Sequence, residues 1–167
     1  MGVRTLAELI PWREELRRAG KTLVLTNGVF DLVHVGHVRY LDAARRLGDA
    51  LVVAVDSDES VRALGKGAER PIVPAAERAE IVAALRSVDA AVIFDGPTAC
   101  EVVAALQPDI YVKGGDYAAG AKPLPEAAVV TRYGGRVAFV DLVPGRSTTD
   151  LVARIQRRLA DQHPQPG

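Results

Sequence analysis

His34 and His37 stand three residues apart around Gly36, in the stretch TNGVFDLVHVGHVRYL that runs from Thr26 to Leu41. The stretch reads as the end of a buried strand, a short Gly-containing turn and the first turns of a helix. With the helix starting near His34, both imidazoles share one face of its first turn. A helix start presents unpaired backbone N–H groups and the positive end of the helix dipole. A phosphate is the natural occupant of such a place. Two ring N–H donors beside those amides would grip a phosphate that gains charge during reaction. Gly36, with no side chain, lets a base or phosphate approach the backbone.

Three further clusters carry charge or hydroxyls suited to the same chemistry. Lys113 ends the apolar run IYVK and is followed by Gly114, Gly115 and Asp116. An ammonium there neutralises phosphate as a point charge; the plainer reading is a tight Gly-Gly turn with a solvated lysine. In PGRSTTDLV, Arg146, Ser147, Thr148 and Thr149 lead into a helix. Ser147 and Asp150 have capping-box spacing, and capping is compatible with anion binding at the same hydroxyl-rich start. Lys66, Arg70 and Arg78 lie in or beside the Gly/Pro-rich segment LGKGAERPIVP. Each is a candidate to close over an anionic substrate as part of a lid, or is an ordinary surface charge. Arg78, at a helix start facing the loop, ranks first.

Several chemistries are excluded. The sequence has no G-x-x-x-x-G-K-[ST] loop, no G-x-G-x-x-G after the first strand and no Ser nucleophile elbow. His34, His37 and His163 lack the supporting ligands of a zinc site, so no protein-built metal centre is expected. The single cysteine, Cys100, leaves no internal disulfide and sits in an apolar helical pattern that suggests a buried thiol.

The elements that position these residues follow from apolar periodicity. Residues 4–19 pattern as a helix stopping at Gly20, with Pro11 and Trp12 as a potential break. TLVLTN, ALVVAVDSDE, AAVIF, DIYVK and RVAFVDLV read as five strands. Helices are expected after His37, over 75–86, over 98–106, around Glu126 to Tyr133 and from Thr148 to Ala160. Asp58 is the expected cap of a further short helix. This alternation predicts a Rossmann-like, doubly wound, five-stranded parallel sheet with helices on both faces. Residues 1–167 then form one domain, with 1–20 a helical extension and 161–167 a frayed tail. Ligands in such folds bind beyond the carboxyl ends of the strands. Asn27, Asp56, Lys113 and the RSTT segment all fall there.

The 21 basic and 21 acidic residues balance, so no partner nucleic acid or membrane surface is indicated. No apolar run approaches the ~20 residues of a membrane span. The N-terminus is amphipathic without a signal core, and a cytoplasmic location is expected.

TNGVFDLVHVGHVRYLDAARRLGDALVVAVDSDESV resembles the opening half of the nucleotidyltransferases that carry the H-x-G-H signature. Within that group VKGGDY and the RSTT helix start resemble the adenylyltransferase domain of bacterial ADP-heptose synthesis. The likeness runs from about Lys21 to Gln156. Relatives that transfer cytidylyl groups to glycerol 3-phosphate tend to show R-T-E-G-I-S-T-T where this chain has LVPGRSTT, and to lack the lysine at Lys113. Many heptose enzymes fuse this domain to a sugar kinase, and a stand-alone adenylyltransferase is expected here.

The resemblance implies that a heptose 1-phosphate, namely D-glycero-β-D-manno-heptose 1-phosphate, attacks the α-phosphorus of ATP in line. Pyrophosphate is released, with Mg²⁺ carried mainly by the ATP phosphates. It assigns catalysis to His34, His37 and Lys113. The nucleotide falls to Thr26, Asn27, Gly28, Phe30, Gly36, Arg78, Arg146, Ser147, Thr148 and Thr149. The sugar phosphate falls to Asp31, Asp58, Lys66, Arg70, Gly114 and Asp116. A homodimer is the expected assembly. A cytidylyltransferase acting on glycerol 3-phosphate or a similar polyol phosphate is the enzymatic alternative, and a non-catalytic nucleotide sensor is the other.

Overall fold

The structure, a computed structural model, describes residues 2–65, 70–117, 123–141, 145 and 147–162, without the side chains of Asp116, Ala160 and Gln162. Lys66, Arg146, the Asp116 side chain and the tail from residue 163 therefore lie outside the described residues.

Apolar runs form six parallel strands: β1 (Gly2–Val3), β2 (Leu23–Gly28), β3 (Ala50–Asp56), β4 (Ala90–Phe94), β5 (Ile110–Gly114) and β6 (Arg136–Val140). Their order in the sheet is β1-β4-β3-β2-β5-β6. The helices are α1 (Leu6–Arg18), α2 (Val35–Arg45), α3 (Asp58–Ala63), α4 (Ala75–Ala83), α5 (Cys100–Leu106), α6 (Pro125–Arg132) and α7 (Thr148–Gln162).

Every residue of β3 is buried, as a central strand covered on both faces requires. Its alternate side chains feed two cores. Ala50, Val52 and Ala54 join Leu23, Leu25 and Tyr111 beneath α1, α5 and α6. Leu51, Val53 and Val55 join Val24 and Val112 beneath Tyr40, Leu41 and Ala44 of α2 and Ala79 and Val82 of α4. Burial of each large aliphatic contributes roughly 1.5–3 kcal/mol, so both helical layers are firmly held to the sheet.

Five expectations are corrected. The sheet has six strands, because Gly2 and Val3 add an edge strand against Ala90 and Ala91; two residues are too few to show periodicity. The N-terminal segment is part of the core, with Leu9 and Leu16 of α1 buried against the sheet. That helix runs unbroken through Pro11, started by a reciprocal capping box between Thr5 and Glu8. Ser57, not Asp58, caps α3: its hydroxyl accepts the Ser60 N–H, and Asp58 is the first helical residue. Cys100 is half-buried rather than buried. Among the described residues no helix is long and apolar enough to cross a membrane.

The chain winds from β2 to β3 and β4 on one side, then returns to place β5 on the other side of β2. The strand order thus reverses between β2 and β5, which opens a crevice at their carboxyl ends. Asn27 and Lys113 stand on its floor.

Candidate functional site

The two histidines build the start of α2 themselves. His34 is the N-cap in extended conformation, and its Nδ1 accepts the Gly36 N–H at 3.1 Å. The His34 N–H in turn donates to Nδ1 of His37 at 3.4 Å. This is a capping box with imidazoles in place of a hydroxyl and a carboxylate. Its consequence is tautomeric. Each Nδ1 is an acceptor, so each neutral ring carries its proton on Nε2, the nitrogen on the side away from the cap. The rings stack with centroids 3.9 Å apart. Burial, followed by the charge of His34, pushes the His37 pKa down from its ordinary value to about 4. His37 is therefore a neutral donor at pH 7.

Phe30 braces this arrangement, its ring 5.2 Å from that of His37. Phe30 occupies the left-handed region (φ 52°), strained for a non-glycine residue. Its ring lies over Gly28, where a Cβ would come within 3.1 Å. A side chain at residue 28 would press on the Phe30 ring, which would have to give by a few tenths of an ångström.

On the floor of the crevice the Asn27 Oδ1 accepts two bonds, from Lys113 Nζ at 2.7 Å and from the Tyr111 hydroxyl at 2.5 Å. Strand alternation explains the grouping: Asn27 follows Leu23 and Leu25 on one face of β2, and Tyr111 and Lys113 share that face of β5. Burial raises the Tyr111 pKa, so its hydroxyl stays a donor. The ammonium also lies 5.0 Å from the centroid of the Tyr117 ring. Lys113 is buried and held in place, not merely solvated.

These groups line a cleft of about 950 Å³ together with Gly28, Phe30, Gly36, Gly114, Ser147 and Thr148. An adjoining cavity of about 540 Å³ shares Phe30, His37 and Thr148 and adds Asp31, Arg70 and Thr149. Ser147 both accepts the Asp150 N–H at 3.0 Å and donates to its carboxylate at 2.8 Å. The capping reading of α7 holds, and the same start borders the cleft.

Four expected site residues are engaged by partners within the protein. Thr26 is fully buried on the α2 face of β2, its hydroxyl engaged by Val112 O at 2.9 Å and Tyr40 Oη at 2.8 Å. Arg78 is fully buried and spends its guanidinium on Val73 O (2.8 Å), Val29 O (2.6 Å) and the Asp58 carboxylate (2.8 Å). It is a strut under the Val29–Phe30 turn, not a lid. Asp58 is accordingly paired. The buried Asp31 accepts the Ile72 and Val73 N–H groups at 2.8 and 2.9 Å and pairs with Arg70 at 2.6 Å. A carboxylate so committed fastens the 70–73 segment.

Sequence reading missed Tyr111, Tyr117, Thr98 and Glu126, all at or beside the cleft. The signal for Tyr111 was present: it stands two residues before Lys113 on a strand. Thr98 stands just before α5 and Glu126 on the first turn of α6, and no spacing announces them. Among the described residues no three His, Cys, Asp or Glu side chains are gathered to hold a metal ion.

Comparison with known proteins agrees with this geometry. The cytidylyltransferase-like family matches residues 25–153. The bifunctional protein HldE of Syntrophotalea carbinolica is 54% identical over 146 residues, covering 85% of this chain and 28% of that protein. HldE of Geotalea uraniireducens is 54% identical over 141 residues, 82% of this chain and 27% of that one. The chain thus spans little more than a quarter of the length of these relatives. Among solved structures, a lipopolysaccharide core biosynthesis protein from Thermoplasma volcanium superposes with a TM-score of 0.60 at 31% identity, over 74% of this chain and 98% of that one. Pantothenate synthetase of Thermus thermophilus, at 21% identity and TM-score 0.57 over 86% of this chain and 62% of that one, shares the fold. With its histidine-capped α2, parallel sheet and matched span, the chain belongs to the cytidylyltransferase-like family of nucleotidyltransferase domains.

Proposed function

We propose that this protein is an adenylyltransferase that joins ATP to a heptose 1-phosphate, giving ADP-heptose and pyrophosphate. The observation that carries the reading is the pair of imidazoles capping α2, at a crevice whose floor holds Lys113. The likeness of VKGGDY and RSTT to the heptose adenylyltransferase domain, and the identity to bifunctional HldE proteins, support the choice of nucleotide and sugar. A non-bridging oxygen of the sugar phosphate forms a bond to the α-phosphorus as the bond to the β-phosphate bridge oxygen breaks. The nucleophile is already an anion, so the site needs position and charge stabilisation rather than a strong base.

In this scheme His34 and His37 donate from Nε2 to the departing pyrophosphate, where charge accumulates. Lys113, fixed by Asn27, faces the phosphates. Gly28, Phe30, Gly36, Ser147, Thr148 and Thr149 border the nucleotide, with Arg146 beside them. Lys66, Arg70, Gly114 and Asp116 remain assigned to the sugar phosphate. Mg²⁺ would keep phosphate and water ligands and neutralise charge on the triphosphate. The reading places the protein in the cytoplasm as a homodimer; exposed Ile155 and Leu159 on α7 offer an apolar surface for association.

Pyrophosphate release tests the proposal, with ATP or CTP crossed against the heptose 1-phosphate or glycerol 3-phosphate in the presence of Mg²⁺. Turnover confined to ATP with the heptose phosphate is expected. Turnover confined to CTP with glycerol 3-phosphate would replace this reading by the polyol-phosphate cytidylyltransferase. Nucleotide binding without turnover in any combination would refute the enzyme.

A further inference from the structure

The cleft contains a carboxylate that the phosphate chemistry does not use. Glu126, on the first turn of α6, is only 4% exposed yet lines the cleft. Its Oε1 accepts the Ala99 N–H, just before α5, at 2.9 Å. That bond fixes the side chain, and among the described residues Glu126 has no other hydrogen bond or ion pair. A carboxylate at a ligand cleft with one oxygen not bonded to the protein is an acceptor for a bound donor. It repels a phosphate, so the donor is a hydroxyl or an amino group.

In-line geometry decides which reactant supplies it. The histidines reach the cleft from α2 on one face of the sheet, and Glu126 from α6 on the other, with Asn27 and Lys113 between them. Ser147 and Thr148 border the same cleft at the start of α7. If pyrophosphate departs against the α2 histidines, the attacking group approaches from the opposite wall, where Glu126 and Thr98 stand. We infer that Glu126 is a specificity-determining residue that accepts hydrogen bonds from hydroxyl groups of the phosphorylated acceptor, selecting a polyhydroxylated substrate. This rests on the nucleotidyltransferase reading above.

Glu126→Gln is the informative variant, because its amide oxygen still accepts the Ala99 N–H while the charge and one acceptor are lost. Steady-state kinetics should show the KM for the acceptor raised about 10-fold or more, as expected for loss of a charged hydrogen-bond acceptor. The KM for ATP should stay within about two-fold, which also reports an intact fold. Glu126→Ala should give the same split, and its discrimination against acceptors lacking one hydroxyl should shrink relative to wild type. A raised KM for ATP with an unchanged KM for the acceptor would overturn the inference and place Glu126 on the nucleotide. So would two unchanged values. Wild-type protein that turns over neither acceptor would overturn the functional reading and this inference with it, whereas wild-type turnover with an unmoved Glu126→Gln would overturn the inference alone.

Discussion

Replacing Arg78 by lysine separates a strut from a substrate contact. The guanidinium holds three acceptors in one plane: Val73 O, Val29 O and the Asp58 carboxylate, at 2.6 to 2.8 Å. They come from residues 5, 49 and 20 positions away, so the fork ties together parts of the chain that nothing local would join. A lysine ammonium is a compact point charge and cannot span that arrangement. About two of the three bonds are lost, each roughly 1.5–3 kcal/mol when one partner is charged. Partial rehydration of Asp58, whose side chain is 31% exposed, returns some of this. The expected loss is about 3 kcal/mol, a large share of the 5–15 kcal/mol typical of a domain. Urea unfolding followed by circular dichroism measures it as a lower midpoint at unchanged slope. The affinity for ATP should fall only modestly, through the Val29–Phe30 turn. An unfolding free energy unchanged within about 0.5 kcal/mol, joined to a more than ten-fold loss of ATP affinity, would refute the strut and restore Arg78 to the nucleotide.

Three other outcomes follow from the site. Histidine-resolved NMR titration should find His37 titrating near pH 4 in the free protein and higher with ATP bound, because neighbouring phosphate favours the imidazolium. The unfolded chain binds this proton near pH 6.5 and the folded chain only near 4, so the contribution of His37 to stability is complete above 6.5 and declines as pH falls toward 4; His37→Gln should flatten that part of the stability curve. Tyr111→Phe removes the hydroxyl from Asn27 and leaves the ring in its core position, so turnover should fall about 3- to 10-fold, the effect of one hydrogen bond worth roughly 1 kcal/mol, with little change in melting temperature; an unchanged rate would mean that Lys113 needs no such support.

Fold and site were legible in the sequence to different depths. The apolar runs of β2 to β6 carry strand periodicity over five or more residues, whereas Gly2–Val3 is too short to carry any and was missed. H-x-G-H located the start of α2, because capping and phosphate chemistry call for the same polar residues at the same place. Burial was less visible. Thr26 and Asn27 are neighbours with similar polarity, yet the alternation of the strand sends one hydroxyl into the α2 core and the other side chain to the cleft. Arg78 and Asp31 look like ligands for an anion and a hydroxyl until partners 20 to 49 residues away consume them. Glu126 is the converse: an ordinary acid in the first turn of a helix becomes a cleft residue only because α6 packs beside α5.

The Nε2 donors at the start of α2 are central to the proposed chemistry. The measurement is kcat for pyrophosphate release by His37→Ala against wild type, with ATP binding and thermal unfolding measured on the same preparations. Loss of a preorganised donor to a developing oxyanion predicts a fall of about 10² to 10³ in kcat, from a folded variant that still binds ATP. A variant that is folded, binds ATP and turns over within about three-fold of wild type would contradict the claim.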